Sequence, residues 1–332
     1  MYPRILAFCL TLVFPLTSVY SQQQSSIPRT EFDRPNFQGY WTNQSQTPLQ
    51  RPENLGTQRA YSIEEANRLM GAARQRDAER AAPVAEGLEV PAAGAQIGFQ
   101  ADQNFANTRI DLTVINDEYR TSLIIDPPDG RWPFQEDWRS NTYYGALLER
   151  GAGEFDGPEI RNPWERCFFV GGQLPPMVAW AYNANFQFIQ TEAHVVIHRE
   201  MVHDARIIKI NGQFQPGAVY EWAGDSIGHW EDNILVVYSK GFHPQASNSR
   251  IPSSDALQIT ERFELVSANE IYYTFVVEDP KIYTQPVTVE MRLQRKSESE
   301  RIYEYACHEG NYSLPGILAG ARRAEVQAES EQ

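Results

Sequence analysis

The stretch FQFIQTEAHVVIHREMVHDARIIKI, residues 186–210, decides how the chain is read. Val195, Val196 and Ile197 are β-branched, and Ile207 and Ile208 resume the apolar run before the turn pair Asn211-Gly212. Two or three adjoining β-strands are therefore expected. Between the runs lies HREMVHDAR, dense in ionisable groups. Side chains alternate across a strand, which puts His198, Glu200, Asp204 and Arg206 on one face and Arg199, Met201 and His203 on the other. A bulge near His203-Asp204 would reset that parity. Either Glu200 with Arg206, or Glu200, His203 and Arg206 together, are expected to point into one cavity.

Downstream, strand patterns recur at 227–231, 234–240, 256–266, 271–278, 285–295 and 301–306. Their joints carry turn residues, among them Glu231-Asp232-Asn233, Ala268-Asn269 and Asp279-Pro280. With no helical crossovers to make a parallel sheet, the expected fold is mainly β. An antiparallel meander closes into a lipocalin-like barrel, with a sandwich as the runner-up. Upstream, 37–42, 110–115 and 120–125 read as short strands, and 126–130 as a Pro-Pro turn. Two helices are expected in this N-terminal extension. The first spans 62–82, with Ser62 as N-cap and Glu64 and Glu65 in its first turn; the second spans 137–149. Residues 82–107 and 242–254 read as long loops. The expected division is a signal peptide at 1–21, a mixed helix and loop region at 22–165, a barrel at 166–322 and a disordered tail at 323–332.

Residues 1–21 have one basic residue, Arg4, ahead of an apolar run too short to span a bilayer, the pattern of a cleaved secretory signal. Its removal takes one of the 29 basic residues and none of the 43 acidic ones, so the charge moves from -14 to -15. Such a chain is a poor partner for nucleic acid, and no stable membrane insertion is expected. A periplasmic or secreted location follows. Of the three cysteines, Cys167 and Cys307 remain after cleavage. In an oxidising compartment they are expected to pair, the alternative being two buried thiols.

Three constellations are candidates for chemistry. His198-x-Glu200-x-x-His203 has metal-ligand residue types, but an extended backbone separates the two imidazoles, so no metal is expected. The simpler reading is an ion pair of Glu200 with Arg206. YEYACHEGN, residues 303–311, puts Tyr303 and Tyr305 on one strand face. If Cys307 is bridged, His308 and Glu309 are held with little freedom, as proton transfer requires; a solvated histidine on an anchored turn is the bland alternative. WAGDSIGHWE, residues 222–231, holds Asp225, Ser226 and His229, but without a GxSxG elbow it reads as a hairpin. No dinucleotide fingerprint, P-loop, CxxC or EF-hand loop occurs, so no cofactor is expected.

The segments RCFFVGGQLPP, YNANFQFIQT, EMVHDARII, GDSIGHWEDNILVV, VEDPKIYTQP and YEYACHEGN, taken in this order, resemble a widespread group of exported, functionally uncharacterised bacterial proteins. The resemblance covers roughly residues 124–322. It implies that Glu200, His203, Arg206, Trp230, Tyr305, Cys307, His308 and Glu309 belong to the group's pattern. It supplies no activity, and His198 is not part of that pattern.

The function expected from these readings is binding of a small organic or carbohydrate-like molecule in a polar, aromatic-lined barrel cavity. Its catalytic form is metal-independent acid/base chemistry of lyase, isomerase or hydratase type. His203 or His308 serves as base or acid, Glu200 or Glu309 orients it, Tyr305 donates a proton and Arg206 holds a substrate anion. Tyr182, Asn183, Trp222, Trp230, Tyr303 and Asn311 are expected to line the ligand. The alternatives are a non-catalytic periplasmic ligand-binding module and an envelope interaction protein.

Overall fold

The computed structural model describes residues 27–81, 111–169, 175–178, 184–217 and 219–331. The expected signal peptide, the loop at 82–107, Tyr182 and Asn183 lie outside the described residues. The residue 186–210 segment folds as β6 (Asn185–Gln190), β7 (His194–Arg199) and β8 (Ala205–Ile210). It continues through β9 (Asp225–Glu231), β10 (Ile234–Lys240), β11 (Gln258–Ser267), β12 (Glu270–Glu278) and β13 (Val287–Arg295). A short strand from upstream, β1 (Gly39–Thr42), pairs with β6 on one side and β13 on the other and closes a nine-stranded barrel. The wall is therefore not drawn from residues 166–322 alone.

The fold is mainly β and barrel-like, as the strand pattern indicated, but it is not a pure meander. β8 and β9 run parallel, in the register Ile208↔Ser226, while their neighbours around the ring are antiparallel. Asn211-Gly212 does turn the chain, Asn211 in a left-handed conformation (φ 52°), but the turn opens a crossover rather than a hairpin. The crossover returns along the outside of the wall before β9 begins, and a parallel pair requires a connection of this length.

Small elements cover the outer wall: β2 (Ala60–Tyr61), β3 (Val114–Ile115), β4 (Glu118–Arg120) and β5 (Ile124–Asp126), with helices α1 (Ile63–Ala81) and α2 (Tyr143–Glu149). α1 starts with a reciprocal capping box, Ser62 N–H donating to Glu65 and Glu65 N–H to the Ser62 hydroxyl. Buried Glu290, on the outer face of β13, accepts from Arg120, Arg59 and Tyr272, which fastens the small sheet to the wall.

Two expectations near the C-terminus are corrected. Residues 301–306 form no strand, because β1 and β5 between them occupy the edge of β13 that such a strand would need. Residues 323–332 are not a disordered tail, since α3 (Ser313–Ser330) continues through most of them. Ala, Leu, Arg and Glu dominate that run, and an Arg322–Glu325 pair supports it. Among the described residues no helix is long and apolar enough to cross a membrane.

Inside the barrel, inward positions alternate along every strand and are filled by large side chains. Trp41, Phe186, Phe188, Phe263, Tyr273 and Phe275 are at most 1% exposed. Within this apolar core lies a polar layer. Arg206 forms a two-armed ion pair with Glu261, donating at 3.0 Å through Nη1 and more closely through Nη2. Its Nε donates to Ser226 at 3.0 Å and Nη2 also to Ser239 at 2.7 Å. The Tyr273 hydroxyl donates to Glu261 at 2.6 Å and accepts from the Met177 backbone N–H at 3.1 Å. Every charged group here is paired, as burial demands. Truncation of Glu261 to Ala strands the buried guanidinium and is expected to cost about 3–5 kcal/mol in chemical denaturation. The double replacement Arg206→Met with Glu261→Leu is expected to cost less than that single change; equal or larger loss in the double variant would contradict the burial argument.

Candidate functional site

The turn between β7 and β8 resets the strand parity as the sequence suggested, but with a different result. Residues 201–203 form a 3-10 turn with Val202 at φ 63°, a left-handed conformation costly for a β-branched residue. In consequence Arg199 and Arg206 both point inward, and Glu200 stays at the rim. Glu200 does not pair with Arg206. Its carboxylate accepts from Asn185 Nδ2 at 2.6 Å and from the Tyr303 backbone N–H at 3.3 Å. Arg206, saturated by Glu261, Ser226 and Ser239, is not free to hold a substrate anion. Arg199 donates to the Met201 carbonyl at 2.7 Å and to Asp204, and burial pushes its pKa down to about 10 against the opposing pull of Asp204. The side chain of His203 lies outside the described residues.

The YEYACHEGN segment folds over this turn. Tyr305 packs on Met201 and Val202, and Cys307 is bridged to Cys167 across 140 residues. Asn311 is a clamp on the bridge, its Nδ2 donating to the Glu165 carbonyl at 2.8 Å and lying 3.5 Å from the Cys167 sulfur. His308 and Glu309 are exposed and share no hydrogen bond, and Tyr303 is 72% exposed. With 301–306 irregular, the two tyrosines do not share a strand face. The expected acid/base dyad is thus not assembled. Trp230 lies at the opposite end of β9, stacked on Phe37 at 5.7 Å, and takes no part here.

Trp222 does reach the disulfide-bearing end, and the crossover is what carries it there. Glu221 N–H donates to the Gly241 carbonyl, and His243 N–H donates to the Glu221 carbonyl, both at 2.9 Å. This short parallel bridge sets the Trp222 indole against the His243 ring at 4.4 Å, inclined by 27°. Gly224 (φ 66°) is required beside it, since a Cβ there would meet the Phe242 ring at 2.7 Å. From the other side Phe168 meets the indole edge-on at 5.6 Å and Phe169 lies at 6.1 Å, both placed by their neighbour Cys167. The Arg166 guanidinium lies 4.4 Å above the Phe168 ring and touches Gln245 Oε1 at 3.4 Å. Phe168 is 42% exposed, while Trp222, His243 and Arg166 are half-buried.

His243 Nδ1 accepts from the Gln245 backbone N–H at 3.2 Å, which leaves the proton of the neutral ring on Nε2. Burial lowers its pKa, and the Arg166 charge lowers it further. Sequence reading missed His243, Arg166, Phe168 and Phe169. The one signal for the last three was proximity to Cys167; for His243 there was none, since only the crossover joins it to Trp222. Among the described residues no three His, Cys, Asp or Glu side chains gather as a metal-ligand set. No family model, curated protein or solved structure matches the chain.

The fold favours neutral His243, so its contribution to stability is intact above about pH 6.5 and is lost as the pH falls below that value. NMR titration of the ring is expected to give a midpoint below its ordinary 6.5. Arg166→Gln removes the second cause and is expected to move the midpoint upward; an unchanged midpoint would mean that the guanidinium does not face the ring.

Proposed function

We propose that this chain is an exported barrel protein that binds a small organic or carbohydrate-like molecule at its disulfide-bearing end. The observation that carries the reading is the Trp222–His243 stack with a half-exposed Phe168 at its edge. Large rings with an apolar face and a polar tip suit flat organic molecules and the CH faces of sugars. The platform is held from three sides: by the Cys167–Cys307 bridge, by the Asn311 clamp and by the Glu221 to His243 backbone bonds. Rigid placement lowers the ordering cost of binding.

The interior is a less suitable place for a ligand. Its aromatic rings pack on one another, and its polar groups satisfy one another. The expected site therefore moves from inside the barrel to its rim. Binding is the reading these groups support: Glu200 is engaged by Asn185 and the Tyr303 N–H, and His308 and Glu309 are exposed and share no hydrogen bond. The disulfide fits an oxidising compartment, which supports export.

Ligand-observed NMR against a panel of aromatic acids, aromatic amides, phenols and monosaccharides tests this. At least one class is expected to bind the wild-type protein and to lose about tenfold or more in affinity in Trp222→Ala. Tyr238→Ala, on the outer wall, serves as the unaffected control. Binding that survives in Trp222→Ala at full strength would remove the platform from the site.

A further inference from the structure

One cation beside the platform lacks the pairing seen at several buried guanidiniums of this chain. Four strongly buried guanidiniums elsewhere each meet a carboxylate or a set of carbonyls. Arg206 has Glu261, Arg120 has Glu290 and Arg199 has Asp204. Arg51 donates to the carbonyls of Gly56 and Pro128. Acidic residues are also in excess, 43 against 29 basic ones, so partners are not scarce. Arg166 nevertheless has no carboxylate partner among the described residues. Among the described residues its side-chain hydrogen bond is a long contact, 3.4 Å, to the neutral amide of Gln245.

The adjacent carboxylate, Glu165, is held by Arg161 at 2.7 Å and 3.1 Å. The guanidinium instead lies over the Phe168 ring, which in turn meets Trp222. Indole, phenyl ring and guanidinium thus follow one another along the rim, with most of the guanidinium's donors uncommitted among the described residues. A planar fork of donors beside aromatic faces is the arrangement that reads a carboxylate attached to a flat ring. In a chain of net charge -14 an isolated half-buried cation is also a local exception in the field an anion would meet.

We propose that the ligand of this site is a small aromatic carboxylate, its ring against Trp222 and Phe168 and its carboxylate on the Arg166 fork. This rests on the binding reading above and narrows it to one chemical class. Arg166 is a specificity-determining residue in this arrangement, and Trp222 is the source of affinity common to all flat ligands. A neutral amide of the same shape keeps the ring contact and loses the charged one.

The test is calorimetric titration of the full chain with benzoate and cinnamate, each beside its amide, at low and at high salt. The acids are expected to bind about tenfold or more tightly than the amides, with the difference shrinking as salt rises. In Arg166→Gln the acids are expected to fall to the level of the amides, while amide binding stays as in wild type. Arg166→Lys is expected to recover part of the preference, since it restores charge without the fork. Thermal unfolding of each variant confirms that the fold is retained, and Trp222→Phe serves beside Trp222→Ala should the latter fail to fold. Equal binding of acid and amide, or an acid preference that persists in Arg166→Gln, overturns the inference. Binding of neutral rings or sugars that depends on Trp222, without an acid preference, would overturn it while leaving the binding reading in place. Absence of any Trp222-dependent binding overturns both.

Discussion

The Arg206–Glu261 pair constrains the barrel more tightly than any single apolar contact. Five strands meet in it: Arg206 from β8, Ser226 from β9, Ser239 from β10, Glu261 from β11 and the Tyr273 hydroxyl from β12. Sliding any of these strands by one residue would turn its polar side chain outward and leave a buried charge or hydroxyl unsatisfied. An apolar core of similar volume would lack that penalty, since apolar side chains can repack against shifted neighbours. The pair is therefore weak evidence of extra stability and stronger evidence of a fixed register. It also accounts for the parallel pairing of β8 and β9. Ser226 must come alongside Arg206, and the parallel register Ile208↔Ser226 places it there.

From that register the position of the site follows by topology. A parallel pair in an otherwise antiparallel wall needs the chain to return outside the barrel, and the return ends at Trp222, beside β9's first residue. The closing strand β1 has a complementary effect at the C-terminus. By taking an edge of β13 it leaves residues 301–311 without a ladder, free to fold over the β7–β8 turn and reach Cys167. The disulfide then fixes Phe168 and Phe169 beside the indole. Two features of strand order, rather than any local motif, bring the aromatic rim together.

This separates what the sequence could disclose from what it could not. The strands that became β11 and β12, the N-cap at Ser62 and the pairing of Cys167 with Cys307 were legible. Each depends on residues close in sequence or on a count of two cysteines. The HREMVHDAR turn was legible as a parity problem, but not its solution, because a left-handed Val202 has no composition signal. Asn211-Gly212 misled for a related reason: the pair specifies that the chain turns, not which strand it meets afterwards. Glu200 with Arg206 looked like an ion pair because the two are six residues apart. The actual partner of Arg206 is 55 residues away, and burial selects the partner that fits the interior.

Placing a ligand at the rim rather than within the barrel follows from packing as much as from the rim's own chemistry. Nine strands can enclose a cavity if their inward side chains are small. Here the inward positions hold Trp41, four phenylalanines and Tyr273, and the wall is tight enough that a Cβ on Gly228 would lie 2.9 Å from Ile208. A ligand entering the core would have to displace that packing and open an ion pair already satisfied on every side. At the rim the requirements are reversed. Rings there keep part of their surface exposed, and one guanidinium keeps donors uncommitted among the described residues, both fixed in place by the disulfide and the backbone bridge. The same burial that makes Arg206 structural makes Arg166, half-buried and without a carboxylate partner among the described residues, the guanidinium suited to meet a ligand.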